Sequence, residues 1–438
     1  MNDQGVINGL EAELTGILGS ENVMPCPSSL VIDGIHTQLC VEPGTTQEVA
    51  DVLRVANDRK LTVIPAGGFT SQGYGNIPPR ADLVLRTTRL SGIVHYDAGD
   101  LTIGVRAGTR VANVQNAVAE HRQVFAMEAP RASRATVGGA LATASHGPRK
   151  HSAGGVREFC VGLEFVTGDG QIAKAGGRVV KNVAGYDLMK LLIGSHGTLG
   201  IITSANFRLM PAARRTATFL AEFKTIGEAI AFRERVMKSP LSPIFLELIS
   251  PFTEGVSGQS PQAWTVAIKA GGSDAVLARY RGELGADLSR ELRDAHEAAL
   301  WSSVVEFPAT MLQLNQRAML LDVHMPAASV EAALTEAEKA ATAHGFIFSA
   351  VGRAAVASLT LALNPLPGDP PSVTQYVNAL SAIRAACPAD GAVIVRNCPG
   401  EVKMHIEPWG SAREIESMRR VKRTLDPNDV LNRGRFLP

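Results

Sequence analysis

The chain has 438 residues, 45% hydrophobic and 19% charged; single cores rarely grow past roughly 250 to 300 residues, so two globular domains are expected and a disordered chain is excluded. Its 43 Lys and Arg almost balance its 42 Asp and Glu, which leaves no overall basic field to collect nucleic acid or an anionic membrane. No run of about 18 apolar residues is long enough to make a transmembrane segment, and the polar start MNDQGVING lacks the regions of a signal peptide, so a cytoplasmic protein is expected.

Residues 1–32 are set aside as an N-terminal segment. The first clear element starts at Thr45, where T-T-Q-E is a capping box and Val49, Val52, Leu53 and Ala56 recur at helical spacing. An apolar strand, Leu61 to Ile64, follows and runs into the glycine-rich turn Pro65-Ala66-Gly67-Gly68-Phe69-Thr70. Leu101 to Arg106 alternates as a strand, and Thr109 is placed to cap a helix carrying Val111, Val114 and Val118. Val161, Leu163 and Phe165 alternate before the turn Gly168-Asp169-Gly170, which predicts a hairpin. Asp187 to Ile193 reads as a short buried helix, Leu199 to Leu209 as a strand, and Pro211 closes the segment. Beyond it, strand, amphipathic helix and strand appear around Thr218 to Ile249 and return around Met319 to Leu363. This duplication predicts an antiparallel sheet covered by helices on one face, a lid for a cofactor bound elsewhere. Asn364 to Pro371 is a surface loop, and the tail holds a basic helix, Met418 to Leu425, stopped by Asp426-Pro427. The five cysteines, Cys26, Cys40, Cys160, Cys387 and Cys398, are scattered without a C-x-x-C pair and read as reduced bystanders. Any iron–sulfur cluster that takes electrons from this protein then belongs to another chain.

Three glycine segments carry the chemistry. The loop Pro65 to Gly75 lacks both G-x-G-x-x-G and G-x-x-x-x-G-K-[ST], so neither dinucleotide fingerprint nor P-loop applies. Without side chains, Gly67 and Gly68 let backbone N–H groups close on an anion such as a pyrophosphate, although taken alone the loop reads first as an ordinary tight turn. Pro130 to Gly147 is almost free of large side chains, and Gly194 to Thr203 sets glycines against a strand start. Close helix–strand packing would explain each separately; three in one domain call for a common cause.

Taken in order, P-x-G-G-x-T, A-T-V-G-G-x-L-A-T-x-x-x-G and K-N-V-A-G-Y-D-L-M-K-L-L-I-G-S-H-G-T-L-G-I-I-T resemble the FAD-binding domain of the vanillyl-alcohol-oxidase (PCMH-type) superfamily. The tail motif L-D-P-N-D-V-L-N-R-G-R-F resembles that superfamily's closing motif, with Arg433 where proline is usual. K-N-V-A-G-Y-D-L and C-P-G-E-V-K with a following W-G are similar to the FAD-binding subunits of glycolate oxidases. The resemblance implies an α+β architecture: a PCMH-type FAD-binding domain of two α/β subdomains over residues 33–212, an antiparallel-sheet cap over 213–407 covered by helices, and a tail, 408–438, packing back on the FAD domain. It further implies that Pro65, Ala66, Gly67, Gly68, Phe69 and Thr70 hold the FAD pyrophosphate. Pro130, Thr136, Gly138, Gly139, Thr143 and Gly147 would line pyrophosphate and flavin, and His196, Gly197, Gly200, Ile201 and Ile202 would meet the adenine side. Phe69 stands where many relatives carry the histidine linked to flavin, so noncovalent FAD is expected.

The activity implied is oxidation of a small 2-hydroxy acid such as glycolate or D-lactate, with electrons passed on. The implied partners are a homologous flavoprotein subunit and an iron–sulfur subunit. Two alternatives stand beside this: a self-sufficient dehydrogenase or oxidase, and a non-catalytic FAD-containing assembly subunit. The H-x-G-D-G-N-x-H metal pair of substrate-oxidising relatives is missing, so no metal is expected. His324, His344 and His405 are read as satisfied lone residues. Lys403 and His405, in V-K-M-H-I-E-P, are candidates from position for a group facing the flavin. Arg131, Arg134, Arg149, Lys150 and His151 read either as phosphate neutralisers or as solvated loop charges.

Overall fold

The computed structural model describes residues 3–177, 187–251, 263–410 and 414–436. The whole K-N-V-A-G-Y run, 181–186, lies outside them. The chain divides into two compact units, one made of 1–145, 155–212 and 412–438, the other of 146–154 and 213–411.

The first unit holds two sheets. One is four-stranded, ordered Val23–Pro25, Leu39–Val41, Leu83–Arg86, Val63–Ala66. Its last three strands are parallel, and the first runs antiparallel to its neighbour. The helix Thr46–Asp58 packs Val49, Ala50, Val52, Leu53 and Ala56 into the same core as Val63, Leu83 and Leu85. Thr45 caps it by accepting from the Glu48 amide at 3.1 Å. Glu48 does not close the box on Thr45; its carboxylate accepts from the Gly44 amide at 2.7 Å instead. A helix that pattern reading did not find, Asp3–Leu18, lays Leu10, Leu14 and Leu18 on this core at a spacing of four.

The second sheet is antiparallel and five-stranded, ordered Ile172–Gly176, Cys160–Val166, Ile201–Arg208, Thr102–Arg106, Ile93–Asp97. Its first two strands are the hairpin closed by Gly168-Asp169-Gly170. At the start of the helix Val111–Ala119 the N-cap position falls on Arg110, which makes no side-chain cap, and not on Thr109. The Thr109 hydroxyl is turned to Gly92 instead, accepting from its amide at 2.9 Å and donating to its carbonyl at 3.2 Å. The predicted 187–193 helix shrinks to Met189–Leu192; Leu192 and Ile193 are buried while Leu191 is exposed.

The cysteine reading needs a correction. Cys26 and Cys40 form a disulfide, because the antiparallel pairing of Val23–Pro25 with Leu39–Val41 brings their Cα atoms to 5.1 Å. A loop of 14 residues leaves no spacing signature for that pair. Cys160 remains a thiol, and burial pushes it up to about 12, which keeps it un-ionised and inert.

After the helix Ile415–Leu425, the buried carboxylate of Asp426 accepts from the Val430 and Leu431 amides at 2.9 and 2.8 Å and pairs with Lys422. Leu431 and Val430 then enter the core of the four-stranded sheet, and the Asn432 amide donates to the Val63 carbonyl at 2.9 Å.

The second unit is one eight-stranded antiparallel sheet, ordered Arg290–Leu292, Arg215–Phe223, Trp264–Gly272, Phe245–Ile249, Phe346–Arg353, Ser358–Pro365, Met319–His324, Ala392–Asn397. Helices Ile226–Lys238, Asp274–Leu284, Val330–Ala343 and Val373–Ala386 bury one face, packing Phe232, Leu277, Leu334 and Tyr376 against Phe219, Val266, Ile268, Leu321 and Leu361. One-sided cover was expected, but the helix Asp294–Leu314 lies on the opposite face, with Trp301, Val304 and Phe307 on Leu220, Phe245 and Leu320. Because side chains alternate along a strand, that second face also carries Glu247, Asp322, His324, Arg353, Ser358 and Thr360. No described helix is long and apolar enough to cross a membrane.

Candidate functional site

A groove opens in the first unit. It is walled by the end of the strand Val63–Ala66 and its loop (Pro65 to Gln72, with Tyr74), by Thr136, Gly138, Gly139, Ala142 and Thr143, and by His196, Gly197 and Gly200 to Ile202. Thr87, Asn432 and Arg435 complete it. Pro130 does not line this groove, and Gly147 belongs to the second unit.

Two features suit the groove to a pyrophosphate. Among the described residues, the amides of Gly67, Gly68, Phe69, Thr70 and Ser71 find no acceptor, so a row of N–H donors stands ready for an anion. Phe69 sits in the left-handed region at φ 55°, a conformation found in anion-binding backbone nests and one that a phenylalanine adopts only when its surroundings enforce it.

The glycines themselves have a second reason. A Cβ on Gly67 would lie 2.0 Å from Thr136 Oγ1, one on Gly68 1.9 Å from the Arg134 carbonyl oxygen, and one on Gly138 2.8 Å from the Ala107 Cβ. Close packing of the first segment on the second therefore demands Gly67 and Gly68, and that packing sets the loop in place; Gly138 answers instead to Ala107. The neighbouring short helix Val137–Ala142 is capped by the Thr136 hydroxyl, which accepts from the Gly139 amide at 3.3 Å.

Thr87, Ala142, Asn432 and Arg435 are among the groove residues that pattern reading missed. Asn432 donates from Nδ2 to the His196 carbonyl at 2.7 Å, and Arg435, 2% exposed, donates to the Tyr74 and Asn76 carbonyls at 3.0 Å each while paired with Asp33. The clue was present in the closing motif, but the motif alone does not say which loop it holds. His196 lies 5.2 Å, ring to ring, from Tyr74 and 5.9 Å from Phe436, in the left-handed region at φ 53°.

A different cluster occupies the second face of the eight-stranded sheet. Half-buried His146 has Nδ1 3.1 Å from an Arg353 guanidinium nitrogen and Nε2 3.4 Å from Ser358 Oγ. Arg353 can only donate, so Nδ1 is the lone-pair nitrogen and Nε2 carries the proton. Lys150 Nζ reaches the same Ser358 hydroxyl at 3.3 Å, and the His324 ring stands edge-on to His146 with centroids 6.1 Å apart. Glu247 lies 3.7 Å from Arg353 Nε, and Asp322 lies 3.3 Å from Arg396 Nε while accepting from Thr360 at 3.1 Å. Burial, reinforced by the charges of Arg353, Lys150, His324 and Arg396, holds His146 well below the usual imidazole range. Burial and Lys150 lower His324 as well, against the pull of Asp322.

His324 is thus not a lone residue, and Lys150 is not a solvated loop charge. Arg149 packs over the Phe245 ring at 4.9 Å, Arg134 reaches the Gly68 carbonyl at 3.4 Å, and burial lowers the His151 imidazole. Lys403 is buried at the end of the short helix Gly400–Lys403 in the second unit, while His405 is exposed; neither belongs to the His146 cluster. Among the described residues no group of His, Cys, Asp and Glu is placed to hold a metal.

Residues 37–176 match the family described as FAD binding domain, and 406–436 the one described as FAD linked oxidases, C-terminal domain. The D-2-hydroxyglutarate dehydrogenase of Xanthomonas citri pv. viticola is 28% identical over 421 residues, which is 90% of this chain and 88% of that protein. The glycolate oxidase subunit GlcE of Escherichia coli is 39% identical over 141 residues, 32% of this chain and 40% of that one. Substrate-bound p-cresol methylhydroxylase, 15% identical, shares the fold with a TM-score of 0.76 over 99% of this chain and 97% of its own. With the amide-lined groove already in place, these matches show an FAD-binding oxidoreductase with a PCMH-type domain, similar over 37–176 and 406–436 to FAD-linked oxidases.

Proposed function

We propose that the chain oxidises a small 2-hydroxy acid and does so as a subunit of a glycolate-oxidase-like complex. The observation that carries the reading is the row of unsatisfied amides from Gly67 to Ser71, set in a groove walled by His196 to Ile202, within a chain that matches a 2-hydroxy-acid dehydrogenase along nearly its whole length. FAD, when bound, supplies the hydride acceptor. The chain's own part is to hold the pyrophosphate on the 67–71 amides, to fix the groove through Asn432 and Arg435, and to shield the cofactor from water. The likeness to a GlcE subunit, together with the missing H-x-G-D-G-N-x-H run and the absence of any C-x-x-C pair, favours electron transfer onward through a homologous flavoprotein subunit and an iron–sulfur subunit.

An anaerobic visible spectrum of the purified chain tests the oxidation directly. Glycolate, D-lactate or D-2-hydroxyglutarate is expected to bleach the oxidised flavin bands; a spectrum unchanged by all three would remove hydroxy-acid oxidation from this chain. Co-purification of an iron–sulfur protein separates the subunit from a solitary enzyme. Phe69 offers no nucleophilic atom, so we further propose noncovalent FAD, and acid precipitation is expected to release all flavin to the supernatant. Fluorescence left on the denatured polypeptide would refute that.

A further inference from the structure

Cys160, Cys387 and Cys398 are thiols, while Cys26 and Cys40 are joined, and the covalent loop they close reaches the FAD groove. Cys40 lies in Leu39–Val41, which is paired on both sides within the four-stranded sheet, so its position is fixed by the ladder. Cys26 follows the edge strand Val23–Pro25 and starts a segment whose regular structure is one hairpin, Val31–Ile32 with Ile35–His36. With two residues to a strand, such a hairpin does not hold its own shape in water. The crosslink and the apolar contacts beneath the hairpin hold it instead.

Two sets of contacts run from this loop to the groove. Beneath the hairpin, Ile32, Leu30, Ile35 and both cysteines share one small apolar cluster with Ile64, Ala66 and Phe69. Ile64 and Ala66 belong to the strand that delivers the amide row, and Phe69 is the left-handed residue within that row. The covalent loop is therefore part of the surroundings that enforce its conformation. At the hairpin tip, Asp33 and Gly34 both take positive φ, 50° and 84°, as a two-residue hairpin turn requires. Asp33 there pairs with Arg435, whose guanidinium donates to the Tyr74 and Asn76 carbonyls at 3.0 Å each and lines the groove. We propose that Cys26–Cys40 is an exchange site for a dithiol reductant, and that opening it loosens the groove so that FAD affinity follows the redox state of this pair. The proposal rests on the reading that the 67–71 amides and the wall at Arg435 hold FAD.

An incoming thiolate attacks Cys26 Sγ, since Cys26 is half-buried between exposed Pro25 and Pro27 while Cys40 is 1% exposed. The S–S bond breaks as a mixed disulfide forms, and Cys40 leaves as a thiolate that takes up a proton. The reductant's second thiolate then displaces Cys26, which is protonated in turn. Two electrons and two protons pass to the protein, and the dithiol ends as its own disulfide. Cys40, on a paired strand and inside an apolar cluster, stays in place as a thiol. The Cys26 end gains the chain freedom that the crosslink had removed. Asp33 is then less firmly held on Arg435, and Phe69 loses part of its support. Coupling of this kind is reciprocal: whatever factor reduction takes from FAD affinity, FAD returns as resistance to reduction. A crosslink that serves global stability alone lacks that signature.

The test treats the full FAD-loaded chain with dithiothreitol in the dark, removes the reductant under anaerobic conditions and dilutes the protein. Free-flavin fluorescence then gives the FAD Kd, and thiol titration counts the cysteines. Reduction is expected to expose two further thiols and to raise the Kd about tenfold, with reoxidation restoring it. Saturating FAD is expected to make the pair harder to reduce by the same factor. Cys26→Ser should bind FAD like the reduced wild type and ignore dithiothreitol. Asp33→Asn keeps a residue that tolerates the left-handed tip and drops the charge, so it should weaken FAD with the disulfide closed and respond to reduction well below that tenfold. Melting curves check that each variant folds. Cys26→Ser as tight as the oxidised wild type, an undiminished response in Asp33→Asn, or reduction indifferent to FAD would each overturn the proposal. A wild-type Kd that reduction does not move would sink the switch and leave the groove reading intact, whereas an oxidised chain that binds no FAD would sink both.

Discussion

Gly68→Ala is expected to yield protein that folds but does not retain FAD. The added Cβ would lie 1.9 Å from the Arg134 carbonyl oxygen and 2.6 Å from its carbon, and both belong to backbone that cannot rotate away. Overpacking of this kind costs about 1 to 3 kcal/mol. The loop's escape route is to swing off the 134–136 segment, which scatters the amides of Gly67 to Ser71 that await an anion. The ratio of flavin to protein absorbance after gel filtration reads the effect, and a melting curve separates lost cofactor from lost fold. Gly9→Ala is the control: it lies in the helix Asp3–Leu18 with no atom within 4 Å of a new Cβ, so a gain of about 0.5 to 1 kcal/mol from helix propensity is expected. A Gly68→Ala protein with wild-type flavin content would show that the nest is not what holds the cofactor.

Asp426→Ala should produce the largest loss of stability in the first unit, about 3 to 5 kcal/mol, as for other buried ion pairs broken on one side. The side chain is 1% exposed and serves two buried amides, Val430 and Leu431, besides Lys422. Removing it orphans those amides and leaves Lys422 with its carbonyl partners, Thr198 and Leu431, and with the more exposed Asp429 at 3.0 Å. The amides it pins start the segment that carries Asn432 and Arg435 into the groove wall, so flavin content should fall along with the urea midpoint. Lys422→Met should cost less, since Asp426 keeps both amide donors. Equal losses for the two variants would mean that the ion pair, not the turn, holds the tail.

The contrast between the two halves of the chain shows where sequence suffices. The Thr45 cap with its apolar repeat, the Gly168-Asp169-Gly170 hairpin and the paired strand–helix–strand runs of the second unit were legible because each depends on neighbours within about twenty residues. The glycine loop, too, was legible as a possible anion cradle, since its chemistry is backbone and backbone follows glycine spacing. Less legible was the reason for those glycines, which turns on what Thr136 and Arg134 do more than sixty residues away. Thr109 misled because a hydroxyl beside a helix start serves whichever amide arrives first, and a turn at Gly92 took it.

By itself the sequence determined many of the local elements and the residues with no side chain to obstruct a cofactor. Tertiary structure decided what distant residues become when brought together. It joined Cys26 to Cys40 across a strand pair, it carried Arg435 to a loop more than 350 residues earlier and Asn432 to His196, and it set His146 beside Arg353 and His324 on one sheet face. A histidine has no informative neighbours in the chain when its partners come from other strands, because register and sheet order, not spacing, fix that contact.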